Sequence, residues 1–383
     1  MTTRLAVLYG GQSGEHEVSC RSAASILAHL DRERYQVTEV LIDRDGGWHV
    51  GGRPTPLPAA LRVLRAQDVV FPALHGPYGE DGTVSSLLEW LGVPYVGNGV
   101  FASAAGMDKG VTKRLLAAEG LRVSPGVTVR PGEELSPDDQ RRLQLPVFVK
   151  PARAGSSLGV VKVDDWAGVP AALEQARQVD PKVLIEQGAR GREIDVAVLQ
   201  HPDGRVQAGP PLEIRVSGAG FFDYDAKYDG GATFQIPAPL DAATTEVLQD
   251  RAIRAFQALD CRGLLRVDFF LPAEGSPEPI VNEVNTFPGF TAASQFPQIW
   301  QQAGIGFAAL IDILISGALA DQDHRHHSVL PRQARAVALV RGGGARSPGG
   351  TPAGWLGTVG PDDGDRARAC HHAGLGGGVG HRT

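Results

Sequence analysis

The chain has 383 residues, more than one hydrophobic core usually supports, so two or three domains are expected. Its 42% apolar and 21% charged residues suit a soluble globular protein, and a formal net charge of −6 argues against a nucleic-acid binder. The apolar run in MTTRLAVLYGG is too short for a signal-peptide core, and nothing later reaches about 18 uninterrupted apolar residues, so no membrane span is expected.

RLAVLY (4–9) reads as a buried strand closed by a Gly-Gly turn. From Ser19 to Leu30 the spacing of Ala23, Ile26, Leu27 and Leu30 predicts a helix. YQVTEVLID and DVVFPALHG are the next strands, and TVSSLLEWLG is a helix. Alternating strands and helices with apolar strand runs predict a parallel sheet covered on both faces, in an α/β domain over 1–105. After the helix DKGVTKRLLAAEG, the runs PGVTV, LPVFVKP, GVVKV, KVLIEQ and REIDVAVLQ are strand-like, with AGVPAALEQARQ as the single helix among them. They predict a small α+β domain over 106–200. A third region, 201–325, has strands at GPPLEIRV, LLRVDFFL and PIVNEVN and helices at ATTEVLQDRAIRAFQAL and FAALIDILISGAL. Its long polar segment SGAGFFDYDAKYDGGATFQIP reads as a functional or disordered loop. Residues 326–383 turn glycine-rich and aperiodic, which suits a disordered tail or a frameshifted end, and no function is assigned to them. Three widely spaced cysteines (Cys20, Cys261, Cys370) suit a reducing compartment, so the cytoplasm is the expected address.

LLRVDFFLPAEGSPEPIVNEVN is a hairpin. If it is symmetric about its loop, Asp268 lies opposite Glu283 and Arg266 opposite Asn285, with Phe270 on the same face. Facing carboxylates repel, and a hard divalent cation held by Asp, Glu and an Asn carbonyl would remove the conflict. The hairpin alone leaves open a plain solvated face. TFPGFTAAS follows at once, and its Gly289 can offer backbone N–H groups beside Arg266.

VFVKPARAGSSLGVVKV is strand, Gly/Ser loop and strand. Lys150 ends the first strand, and Gly155, Ser156, Ser157 and Gly159 supply donors that can approach an anion. It is not a Walker loop, and an ordinary hairpin turn is the alternative; Lys150, with Lys109 at a helix start, favours phosphate. Downstream, Glu186 and Glu193 are placed to meet a nucleotide, though surface glutamates are common. GGQSGEHEVS lacks G-x-G-x-x-G, which excludes a dinucleotide fingerprint. Glu15 in it is either a carboxylate for an ammonium group or a helix-start acid, and His75 ends a strand on the same expected rim.

Taken together, GGQSGEHEVS, ALHGPYGEDGT, MDK, VFVKPARAGSSLG, IEQGARGRE, FFDYDAKY, LLRVDFF and NEVNTFPGFT resemble the D-alanine–D-alanine ligase family of the ATP-grasp superfamily. The matches keep the family's order over residues 4–320. The resemblance implies an ATP-grasp fold behind the amino-terminal parallel-sheet domain, with ATP and two D-alanines as substrates and two magnesium ions, or manganese, as cofactors. It implies that Lys109, Lys150 and Phe270 contact ATP, that Ser156 closes over the γ-phosphate, and that Glu186 and Glu193 take adenine and ribose. Asp268, Glu283 and Asn285 become metal ligands, and Glu15, Val18 and His75 surround the first D-alanine. Arg266 and Gly289 stabilise an oxyanion, Ser294 and Lys227 orient the second substrate or the phosphate, and Tyr228 closes the site towards Glu15 and Ser156. No nucleic acid or membrane partner is implied, and a homodimer is compatible. The alternatives are a D-alanine–D-lactate ligase, disfavoured by AKY, and a silent nucleotide-binding protein of the same fold.

Overall fold

A computed structural model describes residues 2–216, 232–272 and 278–329. Three sheets succeed one another along the chain. The first contains β1 (Thr3–Gly10), β2 (Tyr35–Ile42), β3 (Trp48–Val50), β4 (Arg53–Pro54) and β5 (Val69–Pro72), in the order β4-β3-β2-β1-β5. Strands β2, β1 and β5 run parallel as expected, while β3 and β4 add an antiparallel edge that the sequence reading did not include. Leu5 and Val7 of β1 pack into one core and Ala6 and Leu8 into another, so both faces are covered. Helices α1 (His16–His29), α2 (Leu57–Arg65), α3 (Thr83–Leu91) and α4 (Val100–Met107) belong to this part of the chain.

After α5 (Lys109–Ala118) comes a sheet of β6 (Gly126–Val129), β7 (Val147–Pro151), β8 (Val161–Val163) and β9 (Val183–Gln187), ordered β6-β9-β7-β8 and wholly antiparallel. Two helices accompany it, α6 (Pro137–Arg142) and α7 (Val169–Arg177), which corrects the expectation of one. SPDDQRR has no apolar period; its ends make the helix. Ser136 Oγ accepts from the Asp139 N–H at 3.1 Å, acids fill the first turn and arginines the last.

The third sheet comprises β10 (Arg192–Gln200), β11 (Val206–Ala208), β12 (Leu212–Val216), β13 (Ala232–Gln235), β14 (Leu264–Leu271) and β15 (Ile280–Asn285). Its order is β13-β12-β10-β14-β15, with β11 beside β10. Strand β13 lies inside the segment read as loop, a second correction; four residues are too few to show a period. Helices α8 (Ala242–Ala258), α9 (Gln295–Gln302) and α10 (Phe307–Val329) complete the described chain, and α10 runs past the expected boundary at 325. Among the described residues no single helix is long and apolar enough to cross a membrane.

One core joins the first sheet to the segments after β15: Leu5, Val7 and Phe71 pack with Phe287, Phe290, Phe296, Trp300 and Ile311. Phe290 is its hub, with ring centroids 5.4 Å from Phe307, 5.7 Å from Phe71 and 5.9 Å from Phe287. Phe290→Ala is therefore expected to cost about 3–5 kcal/mol of stability, read from urea denaturation midpoints. A loss below about 1 kcal/mol would mean that the neighbours collapse into the space.

Candidate active site

A cavity of about 360 Å³ opens where loops from the three sheets meet. Its first wall comes from the turn after β1. Glu15 holds the position just before α1, yet its side chain makes no capping bond. Instead its carboxylate accepts a hydrogen bond from Ser156 Oγ, and Val18 follows on the same wall. Glu15 thus stands at the start of α1, as the one reading has it, and also borders the cavity, as the other requires. His75 is 4% exposed and fixed from both sides, with Nε2 2.9 Å from Ser22 Oγ and Nδ1 3.5 Å from Glu80 Oε1. Its ring packs beside Phe287 and borders the cavity.

The second wall is built on α5 and β7. Asp108 caps α5 by accepting from the Val111 N–H at 3.0 Å and pairs with Lys182 through its other oxygen. That places Lys109 on the first helical turn, where Nζ donates to the Ala154 carbonyl at 2.8 Å and lies 3.5 Å from Glu283 Oε2. The loop after β7 crosses close to Glu15. A Cβ on Gly155 would sit 2.8 Å from Glu15 Oε1, so a larger residue there would push that carboxylate aside. Ser156 and Ser157 adopt φ of 51° and 56°, a left-handed backbone that costs non-glycine residues on the order of 1–3 kcal/mol each.

Lys150 lines the cavity and donates to Glu186 Oε2 at 2.8 Å. Burial alone would lower its pKa, but Glu186, with Glu283 and Glu193 beyond, outweighs burial and holds the ammonium above the ordinary lysine value. Glu186 itself is 3% exposed and does not border the cavity; it is flanked by Lys113 as well as Lys150. Burial would raise its pKa, and the two lysines pull it below the usual carboxylate range. Lys113 carries the desolvation instead, and its pKa is pushed down.

The third wall is the face of β10, β14 and β15. Asp268 pairs with Glu283 and Arg266 with Asn285, the register expected from hairpin symmetry. Arg266, Asp268 and Phe270 are the partly exposed positions of β14 and all border the cavity. Glu193 lies across from Phe270, and Asp195 across from Asp268. Three acids therefore stand side by side on three strands, which would be destabilising without counter-charge. Arg266 supplies it: Nε and Nη2 donate to Asp268 at 2.7 and 2.8 Å, Nη1 donates to Gln295 at 2.8 Å, and Asp195 lies 3.3 Å away. Burial opposes the charge, but Asp268 and Asp195 hold the guanidinium firmly protonated. Asn285 Nδ2 donates to Asp268 at 3.0 Å.

Asp268, Glu283 and Asn285 offer hard oxygen donors from facing strands, so the residues fit a divalent cation by donor type and register. Among the described residues no three His, Cys, Asp or Glu groups already converge as a metal cluster. Beyond β15, Gly289 and Ser294 border the cavity, and Ser294 Oγ accepts from the Thr291 N–H at 3.0 Å. Lys227 and Tyr228 lie outside the described residues.

Three residues of this region escaped the sequence reading. Asp195 had a signal, an acid inside the otherwise apolar run IDVAVL. Lys113 had one too, being four residues from Lys109 and so on the same helix face. Gln295 had none.

Residues 115–316 match the family described as D-ala D-ala ligase C-terminus, and residues 4–60 and 53–98 match D-ala D-ala ligase N-terminus. A D-alanine–D-alanine ligase of Nocardia farcinica is 49% identical over 355 residues, covering 83% of this chain and 97% of that protein. A D-alanine–D-alanine ligase of Mycolicibacterium smegmatis is 47% identical over 83% of this chain and 96% of its own. Among solved structures, the VanG D-Ala:D-Ser ligase of Enterococcus faecalis matches at 32% identity and a TM-score of 0.74, over 83% of this chain and all of that one. The ATP complex of a D-alanine–D-alanine ligase from Bacillus anthracis matches at 29% identity and a TM-score of 0.72, over 85% of this chain and all of that one. By these matches the chain belongs to the D-alanine–D-alanine ligase family.

Proposed function

We propose that the chain joins two D-alanines into a dipeptide, driven by ATP through a D-alanyl phosphate, for peptidoglycan precursor synthesis in the cytoplasm. The observation that carries this reading is that Glu15 faces the same cavity as Lys109, Lys150, Arg266 and the Asp268–Glu283 pair. An anion for an ammonium group, cations for phosphates and a donor for an oxyanion thus share one space. The same reading divides the chain at 1–105, 106–200 and 201–325 and allows a homodimer.

A carboxylate is a poor acyl donor. One of its oxygens attacks the γ-phosphorus, ADP departs, and the carboxyl carbon gains phosphate as a leaving group. The second amine attacks that carbon, the tetrahedral oxyanion collapses with loss of phosphate, and the nitrogen sheds a proton. In this scheme Glu15 holds the first ammonium, with Val18 beside the methyl group and His75 next to it. Lys109 and Lys150 bind the phosphates, Ser156 covers the γ-phosphate, Phe270 and Glu193 flank the nucleoside, and Glu186 acts at the adenine end through Lys150. Arg266 and the Gly289 N–H face the oxyanion. Ser294 takes the second carboxylate, with Lys227 and Tyr228 completing closure. Asp268, Glu283 and Asn285 would hold two magnesium ions, or manganese, which supply charge neutralisation to the phosphates when bound.

A coupled ADP-release assay with D-alanine, L-alanine, D-serine and D-lactate tests this reading. D-serine is included because a solved relative carries that specificity in its name. D-alanine alone should sustain release, with L-alanine inert. ADP release indifferent to amino acid, or D-lactate outcompeting D-alanine as second substrate at neutral pH, would sink the assignment.

A further inference from the structure

The β14–β15 ladder contains a bulge. Asp268 pairs with Glu283 and Phe269 with Val281, so Asn282 is an extra residue on β15. A bulge leaves its extra residue without a ladder partner and re-aims the neighbouring side chain. Here the neighbour is Glu283, and both Asn282 and Glu283 border the cavity. The Asn282 carbonyl is not left bare: Lys113 Nζ donates to it at 2.7 Å and lies 3.4 Å from the Val281 carbonyl.

Lys113 itself does not border the cavity, and its side chain is 9% exposed. It lies one turn after Lys109, so a single face of α5 grips β15 twice, at the Asn282 backbone and at the Glu283 carboxylate. The same ammonium pairs with Glu186, whose other oxygen takes Lys150. One buried cation thus ties the bulged strand to the lysine that faces the cavity.

Building on the metal-dependent ligase reading, we propose that Lys113 is a positioning residue for the metal-bearing strand. It pins the bulge at Asn282 and thereby aims Glu283 at Asp268. The rival role, neutralising Glu186 alone, makes a different prediction once Glu186 is also neutral.

The test is Mn²⁺ binding, read by electron paramagnetic resonance of the free ion with a non-hydrolysable ATP analogue present. The proteins are the full chain, Lys113→Met, and Lys113→Met with Glu186→Gln; circular dichroism is recorded for each. Both variants should keep the native spectrum and bind Mn²⁺ about 10–100-fold more weakly, the range seen when groups that orient metal ligands are removed. The KM for D-alanine should change far less than the Mn²⁺ affinity. Unchanged Mn²⁺ binding by Lys113→Met overturns the proposal, as does recovery of wild-type binding in the double variant. Loss of the native spectrum in both variants also overturns it, by making Lys113 a support of the whole fold. Absence of Mn²⁺ binding by the unmodified chain removes the ligase reading first and this inference with it.

Discussion

Arg266→Met is expected to lower turnover by about 10²–10³-fold, the range found when an oxyanion donor is removed. It is also expected to weaken the fold, because Arg266 is the shared partner of Asp268 and of Asp195, whose relative exposure is 2%. Removing one partner of a buried ion pair leaves an uncompensated charge and typically costs about 3–5 kcal/mol. The two effects separate experimentally. Turnover measured per folded molecule, with the folded fraction taken from circular dichroism, isolates the chemical contribution. If that corrected turnover matches the unmodified chain, Arg266 serves only to neutralise the acidic ladder. Arg266→Lys should rescue little, since an ammonium is a point charge and the guanidinium bridges Asp268, Asp195 and Gln295 at once.

Glu283→Gln is expected to perturb the fold less. It relieves repulsion between facing carboxylates but also removes the ion pair with Lys109, 3.5 Å away, so the two changes oppose one another. The melting temperature in the presence of a chelator should therefore change little, while the additional stabilisation conferred by magnesium shrinks. A metal's charge stabilisation is worth several kcal/mol, so turnover should fall by about 10²-fold or more. Lys109 loses one of its two partners in this variant, the other being the Ala154 carbonyl, so the magnesium dependence of turnover rather than turnover alone assigns the cause. Full turnover at saturating magnesium would remove Glu283 from the metal site.

Strand and helix identity was legible wherever a run was long and periodic. REIDVAVLQ and LLRVDFFL are strands end to end, as read. Short elements made by caps or pairing rather than by periodicity were not, as α6 and β13 show. In the hairpin the expected pairing of Asp268 with Glu283 is observed, yet the pairs nearer the turn are offset by one residue. Counting outward from those pairs would have set Asp268 opposite Asn282. A bulge depends on what grips the extra carbonyl, and Lys113 stands far away in the sequence.

The candidate site divided in the same way. Motif residues at strand ends and helix starts, such as Lys109, Lys150 and Glu15, reach the cavity as read. Glu186 does not, because its neighbours in space are two lysines contributed by other elements. The sequence also left the two roles of Glu15 open, and the approach of Ser156 to its carboxylate was not visible there.

The cavity's three walls belong to three different sheets. On the proposed reading, recognition of the first amino acid, grip on the phosphates and acceleration of the reaction are consequently written in separate stretches of sequence. On that reading, a substitution around Val18 alters which side chain is admitted while the lysines and the acidic ladder stay as they are. Drift in substrate choice and loss of catalysis are then separable inherited traits, and relatives of differing specificity can share one reaction engine. The converse holds for integrity: opening of any one wall dissolves the set of partners, so activity reports on the folding of the least stable of the three.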